Sequence, residues 1–350
     1  MKNKKFMKNK KAFFFTLTVL FLITLLLLVS FSYRREYTKE SIRTRVLTTN
    51  SFVESVEKDA ERAIYISGYR TVLGLLDYIS SAEDYIPLSV DYDVVFKDAF
   101  INGELIIEGY DGSRFLEGMT LADWQGSIID RASKQGINLE FRDLDIDDIG
   151  VSIGQSTPWA IDMNVTLHYV IEDDELNAVW DRYAVVEGKI PLYNLEDPFY
   201  TREFGRDVVS LIKRTPYTSF VNNSTGTCNG TNLSMHLERT WADGAQEPDY
   251  TSSFYAYSPN APNYLSRLKG QFDAQDTESG IESIIHGVKV GRTLMPGKSL
   301  VDHSYFSSED SEVKIVDATN KVPSWLEMTF VEANETYHIP PASGACLQFI

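Results

Sequence analysis

The chain is 350 residues long, with 33 Lys plus Arg against 50 Asp plus Glu and a formal net charge of −17. An acid excess of that size offers no basic surface to a nucleic acid and excludes that partner class, while a hydrophobic share of 43% excludes wholesale disorder. The charge is uneven: residues 1–35 hold eight basic residues and no acidic one, so the remainder carries 25 basic against 50 acidic residues, and the two parts suit different environments.

Six lysines (Lys2, Lys4, Lys5, Lys8, Lys10, Lys11) precede a stretch, residues 12–33, without a charged side chain. About 20 helical residues span a bilayer, so 1–11 reads as a cytoplasmic basic leader and 12–33 as a single-pass transmembrane helix embedded in the lipid bilayer. Thr16, Thr18 and Thr24 can bond back to their own helix there. Only Arg34 and Arg35 follow closely, with Glu36 beside them. The positive-inside rule then puts the N-terminus in the cytoplasm and the body outside, at the cell surface. A cleaved secretory signal is the competing reading, with Ser30, Phe31 and Ser32 as the nearest small-x-small site.

Two features suit an exported body. Cys228 and Cys346 are the only cysteines; outside the cytosol they suggest one disulfide, and two buried free thiols are the alternative. Six Asn-x-Ser/Thr sequons stand at Asn164, Asn222, Asn223, Asn229, Asn232 and Asn334, four of them in one short stretch, as on a glycoprotein.

The order Lys10, Lys11, Ala12 and then Phe13, Phe14, Phe15, Thr16, Leu17, Thr18 opening an apolar helix resembles the class III signal peptide of type IV pilin-like proteins. That resemblance implies cleavage by a prepilin peptidase after Ala12, leaving Phe13 as the new N-terminus, and a helix that serves as both anchor and filament core. It also implies a long helix laid on an antiparallel meander. The same alignment puts Leu17 where the family usually has Glu, and no register supplies that acid, so the resemblance is to a minor or accessory pilin. It covers only the N-terminal end of the chain.

Past the membrane, Ile42, Val46, Thr49, Val53, Val56, Ala60 and Ala63 recur at alternating spacings of four and three, a heptad stripe with one polar member. Charged residues surround it, and no Pro or Gly interrupts before Gly68. Residues 34–80 are therefore expected as a helical stalk, continuous with the anchor, through which the chain self-associates or meets other pilin-like subunits.

Residues 81–215 are expected as an α+β domain. Asn102-Gly103, between alternating runs 94–101 and 104–107, predicts a β-hairpin. Thr120 followed by Asp123 predicts a capping box opening a helix with Leu121, Trp124, Ile128, Ile129 and Ala132 inward and Gly136 at its end. Strands are predicted at 137–141 and 159–171. In the second, Trp159, Ile161, Met163, Val165, Leu167, Tyr169 and Ile171 form the core face, and Asn164 falls on the wet one. An acidic turn leads to a strand at 179–186, and a helix is predicted at 204–214.

Residues 216–234 read as a sequon-rich linker or loop. Residues 235–350 read as a mainly β, sandwich-like region, with strands near 235–241, 253–257, 300–306, 313–316, 325–331 and 345–349 and brief helices near 264–268 and 281–285. The overall class is α+β.

Chemistry is sparsely signalled. His168, His236, His286, His303 and His338 show no metal-ligand spacing. Asp302, His303 and Ser304 invite a triad, but strand neighbours point to opposite faces and no nucleophile elbow exists; Ser283 and His286 carry no more. Asp143, Asp145, Asp147 and Asp148 imitate a calcium loop without its glycine and terminal acid. Phe254, Tyr255, Tyr257 and Tyr264 stack either on sugars or a partner protein, or in the core. No catalytic residue, metal or cofactor is expected, and the chain does not read as an enzyme. The readings that survive are a pilin-like structural subunit of a surface assembly, a signal-anchored adhesion or glycan- and partner-binding module, and a membrane-tethered hydrolase.

Overall fold

The computed structural model describes residues 3–142, 150–173, 178–204, 211–216, 221–222, 227–228, 254–286, 299–307 and 326–327. They form an α+β protein with an apolar N-terminal helix and antiparallel sheets. The chain divides into two compact units, Met1–Asp59 with Asp173–Ala178, and Ala60–Glu172 with Val179–Ile350.

In the first unit, helix α1, which spans Asn3–Ala82 in all, carries part of the expected stripe; Val46 is half-buried and the Ile42 side chain lies outside those described. Val53 and Val56 are buried, and so is Thr49. Its hydroxyl donates to the Arg45 carbonyl at 3.1 Å, so the polar member of the stripe is satisfied by its own helix.

The part of α1 in the second unit packs on a four-stranded sheet. Ala60, Ile64, Val72, Leu75, Leu76 and Ile79 are buried there. Two glycines set the spacing. A Cβ at Gly68 would stand 2.5 Å from the Met163 sulfur and 2.6 Å from Ile190 Cδ1, and one at Gly188 would run into Ile64 Cγ2. Helix and sheet approach this closely because neither carries a side chain at those points.

Helix α2, Tyr92–Asn102, replaces the hairpin expected around Asn102-Gly103. The alternating run also places Tyr92, Phe96, Ala99 and Phe100 on one helical face, and these are buried. Asp91 caps its start by accepting from the Asp93 and Val94 amides. Gly103, at φ +81°, ends it in the left-handed conformation, its amide reaching back to Asp98 and Ala99. The hairpin lies just downstream, β1 (Ile106–Ile107) with β2 (Tyr110–Asp111), turning at Glu108 and Gly109, both at positive φ.

Helix α3, Leu121–Lys134, opens with the expected capping box of Thr120 and Asp123. Leu121, Ile128 and Ala132 are buried as expected, Trp124 packs on the Phe141 ring, and Ile129 is exposed. Strand β3 (Asn138–Arg142) follows, then β4 (Val151–Thr157), β5 (Ala160–Asp173) and β6 (Ala178–Pro191). Strand β5 is the hub: β4 pairs with its first half from Val165 to Ala160, β3 pairs with its second half from His168 to Glu172, and β6 also pairs with it. The odd residues from Ile161 to Ile171 are buried, as the alternation requires. On the opposite face Asn164 is exposed, whereas His168 and Val170 are buried. The His168 ring stacks 3.9 Å from Tyr183, and its Nε2 lies 2.8 Å from Asp181 Oδ1.

Of the helix expected at 204–214, residues 205–210 lie outside the described residues. Helix α4 is Pro198–Phe204, and Leu211 and Arg214 form isolated bridges with Glu196 and Tyr255. Inside the expected linker, β7 (Val221–Asn222) pairs with β8 (Thr227–Cys228). Beyond it, β9 (Ala256–Tyr257), helix α5 (Tyr264–Leu268) and β10 (Ile281–Glu282) precede β11 (Ile284–His286), β12 (Ser299–Val301), helix α6 (Asp302–Phe306) and β13 (Leu326–Glu327). Residues 281–285 are therefore two short strands separated at Ser283 rather than a helix. The strand expected at 300–306 stops at Val301, which is the N-cap of α6, and the acidic Asp302 stands in the helix's first turn with its carboxylate on the His303 amide.

The described residues after the linker share a core with those before it. Gln155 accepts from the Tyr264 amide at 2.9 Å and donates to the Ser279 carbonyl, and the Tyr264 hydroxyl donates to the Glu196 carbonyl. Around Phe199, Tyr200, Tyr305 and Phe306 the core is aromatic, with Tyr85, Phe204 and Phe272 packed against it.

Candidate functional site

Two places in the fold hold features that packing alone does not require. The first is the segment Phe13–Ser32 of α1, 20 residues with none of its side chains buried. It is long and apolar enough to cross a membrane. Thr16, Thr18 and Thr24 donate to the Phe13, Phe14 and Leu20 carbonyls at 2.8–2.9 Å, so these three hydroxyls do not ask for water. Ala12 and Phe13, the expected leader junction, lie within the helix.

The second is a buried charge network. Asp197 is the N-cap of α4: Pro198 takes the first helical position, and the Asp197 carboxylate accepts from the Phe199 amide at 2.9 Å. Arg267 of α5 donates through Nη1 to Asp197 at 2.7 Å and to Asp302 at 3.0 Å, and through Nη2 to the other Asp302 oxygen at 3.2 Å. Its Nη2 also meets the Ile281 carbonyl, and the guanidinium lies 4.6 Å from the Phe199 ring centre. Ser283 donates to Asp302 through both its amide and its hydroxyl, at 3.0 and 2.8 Å, and shares a 2.9 Å bond with the Tyr200 hydroxyl. Arg267, Asp197, Asp302 and Ser283 are all completely buried.

Two carboxylates share one guanidinium here. Burial raises the Asp197 carboxyl above its ordinary range; the Arg267 charge opposes that and the Asp302 charge adds to it. For Arg267 burial disfavours the charge, but Asp197 and Asp302 outweigh it and hold the guanidinium above its usual value. Burial likewise raises the Tyr200 and Tyr255 phenols. With every member dry, the arrangement serves to neutralise charge inside the core and to fix α4, α5, α6 and the β10–β11 corner to one another.

The sequence pattern brought Asp302, His303 and Ser304 together as a possible triad. The structure instead commits Asp302 to Arg267 and Ser283, and brings Glu282 and His303 to 3.6 Å. Of the aromatic loop, Tyr255 and Tyr264 are core residues, while Tyr257 is exposed with its hydroxyl on the Thr277 carbonyl. Asn164 sits exposed on β5, Asn222 lies in β7 and Cys228 in β8. Asn223, Asn229, Asn232, Asn334 and Cys346 fall outside the described residues, as do Asp143, Asp145, Asp147, Asp148, His236 and His338. Among the described residues no group of three or more His, Cys, Asp or Glu is placed to hold a metal.

The buried network was missed by sequence reasoning. One local signal could have found part of it: Asp197-Pro198 before Phe199 is a helix-opening pattern. Nothing local announces the link from Asp197 to residues 70 and 105 positions further on. No protein-family model matches this chain, and no curated protein or solved structure matches it.

Proposed function

We propose that this is a membrane-anchored structural protein of the cell surface, a pilin-like subunit of a type IV pilus-like or related assembly. The observation that carries the proposal is the segment Phe13–Ser32 of α1, fully exposed and both long and apolar enough to cross a membrane. Helical stalk and anchor are one element in this reading, with the N-terminus in the cytoplasm and the body outside. The basic leader ahead of Phe13 and the exposed sequon at Asn164 support the same orientation.

Intact mass and N-terminal sequencing of the protein extracted from its native membrane test this. A new N-terminus at Phe13 is the expected result. An intact Met1 would remove the pilin-like processing and leave a signal-anchored surface module, and a start beyond Ser32 would remove the anchor altogether.

A further inference from the structure

Strand β6 is 14 residues long and, among the described residues, pairs only with β5. Strands of that length are normally covered or interrupted when they stand at a sheet edge, because the open ladder recruits other strands. Its outward row reads Val179, Asp181, Tyr183, Val185, Glu187, Lys189. Val179, Tyr183 and Val185 on that row are 62%, 68% and 68% exposed, an apolar load that a solvated face does not call for.

The row is also self-complementary. Laid antiparallel against its own copy with Val185 opposite Val185, it places Asp181 opposite Lys189 of the second copy, and the two-fold repeats that pair. Tyr183 then stands opposite Glu187, and Val179 opposite Pro191. The neighbouring registers lose this. Centring on residue 184 sets Asp181 opposite Glu187, and centring on Tyr183 sets Asp181 and Glu187 opposite valines. Opposite charges directly across an antiparallel pair stabilise it, and like charges oppose it. Among the described residues Lys189 has a loose contact with Asp162, at 3.7 Å. Asp181 meets His168 through one carboxylate oxygen, and a carboxylate has acceptor sites for a further donor.

We infer that β6 is a homodimer edge: two copies of this chain join antiparallel about Val185, merging two four-stranded sheets into one of eight. The occupant is a second copy rather than an unrelated peptide, because the charges on the row match the row itself. A common anchor in one membrane would keep copies near each other, but the interface depends on β6 alone and is independent of leader processing.

Sedimentation of the full chain in detergent, with a cysteine placed at Val185, tests the pairing. The wild type is expected to be dimeric, and Val185→Cys to give a covalent dimer on mild oxidation that the wild type, with its own two cysteines, does not give. Lys189→Asp should raise the dissociation constant about tenfold by setting like charges opposite. Asp181→Lys combined with Lys189→Asp should restore dimerisation. That rescue cannot come from local repair, since the carboxylate introduced by Lys189→Asp would still face Asp162 in its own chain. A monomer at all concentrations would overturn the proposal. So would a dimer unmoved by Lys189→Asp and not cross-linked at 185, which would place self-association elsewhere, as along α1.

Discussion

Gly188 of β6 lies directly beneath Ile64 of α1, so close that a Cβ on the glycine would overlap the isoleucine Cγ2. The obstacle belongs to a fully buried, β-branched side chain on a helix, which has essentially one rotamer and nowhere to turn. Gly188→Ala is therefore expected to lift α1 off the sheet and cost about 1–3 kcal/mol. Gly68→Ala meets the Met163 sulfur and the Ile190 terminal methyl instead. A thioether and a chain end yield more easily, so the loss there should be smaller. Thermal unfolding of the two variants in the same detergent checks the ranking, and equal stability of Gly188→Ala and wild type would mean that helix and sheet are not in this contact.

Arg267 is the only cation among the groups that hold Asp197 and Asp302 in the described core. Replacing it with Met keeps much of the volume but leaves two carboxylates facing each other without water. Breaking one side of a buried ion pair costs about 3–5 kcal/mol, so Arg267→Met is expected to abolish stable folding of this region. Adding Asp197→Asn and Asp302→Asn to it should recover part of the loss. Limited proteolysis across residues 254–286 reads both outcomes, and a triple variant no better than the single one would argue against charge imbalance as the cause.

The same network gives a pH dependence whose sign is fixed by Asp197. Its carboxyl is raised in the folded protein by burial, with Arg267 opposing. A folded-state value above the unfolded one means that the native state holds the proton more tightly. The contribution to stability is then complete below the ordinary carboxylate value of 3.8 and is lost as pH rises through the raised folded value. Asp197→Asn removes the titrating group, so its stability should vary less from acid to neutral pH than that of the wild type. Chemical unfolding of both proteins over that range measures the difference, and parallel curves would exclude Asp197 as the source.

Legibility in the sequence followed the range of the interactions. The α3 capping box, the β5 alternation and the stripe at Val53, Val56 and Ala60 were readable because each is set by residues a few positions apart. Strand β4 was not read, since Ser152, Gly154, Ser156 and Thr157 carry no apolar alternation and the strand is held by pairing with β5. Asn102-Gly103 misled because a helix stop and a hairpin turn both use glycine at positive φ; the deciding feature was Asp91, which caps a helix eleven residues upstream of Asn102. The Arg267 network joins four short segments over long separations, and its partners are single charged residues with no pattern of their own.

The apolar segment of α1 supplies the last prediction. Leu22 lies near the middle of Phe13–Ser32 and is exposed. An Arg at the centre of a membrane helix costs about 2.5–3.5 kcal/mol on insertion scales, enough to shift a single anchor from membrane to soluble fractions. Leu22→Arg is expected to be released by alkaline extraction that leaves the wild type in the membrane. The wild type itself discriminates between the two uses of such a segment. Had it been removed as a secretory signal, the mature wild-type protein would be extracted as readily as the variant, whereas an anchor retains it. Since Thr16, Thr18 and Thr24 already satisfy themselves within the helix, changing them to valine should leave retention unaltered, which separates loss of apolar character from mere substitution in the segment.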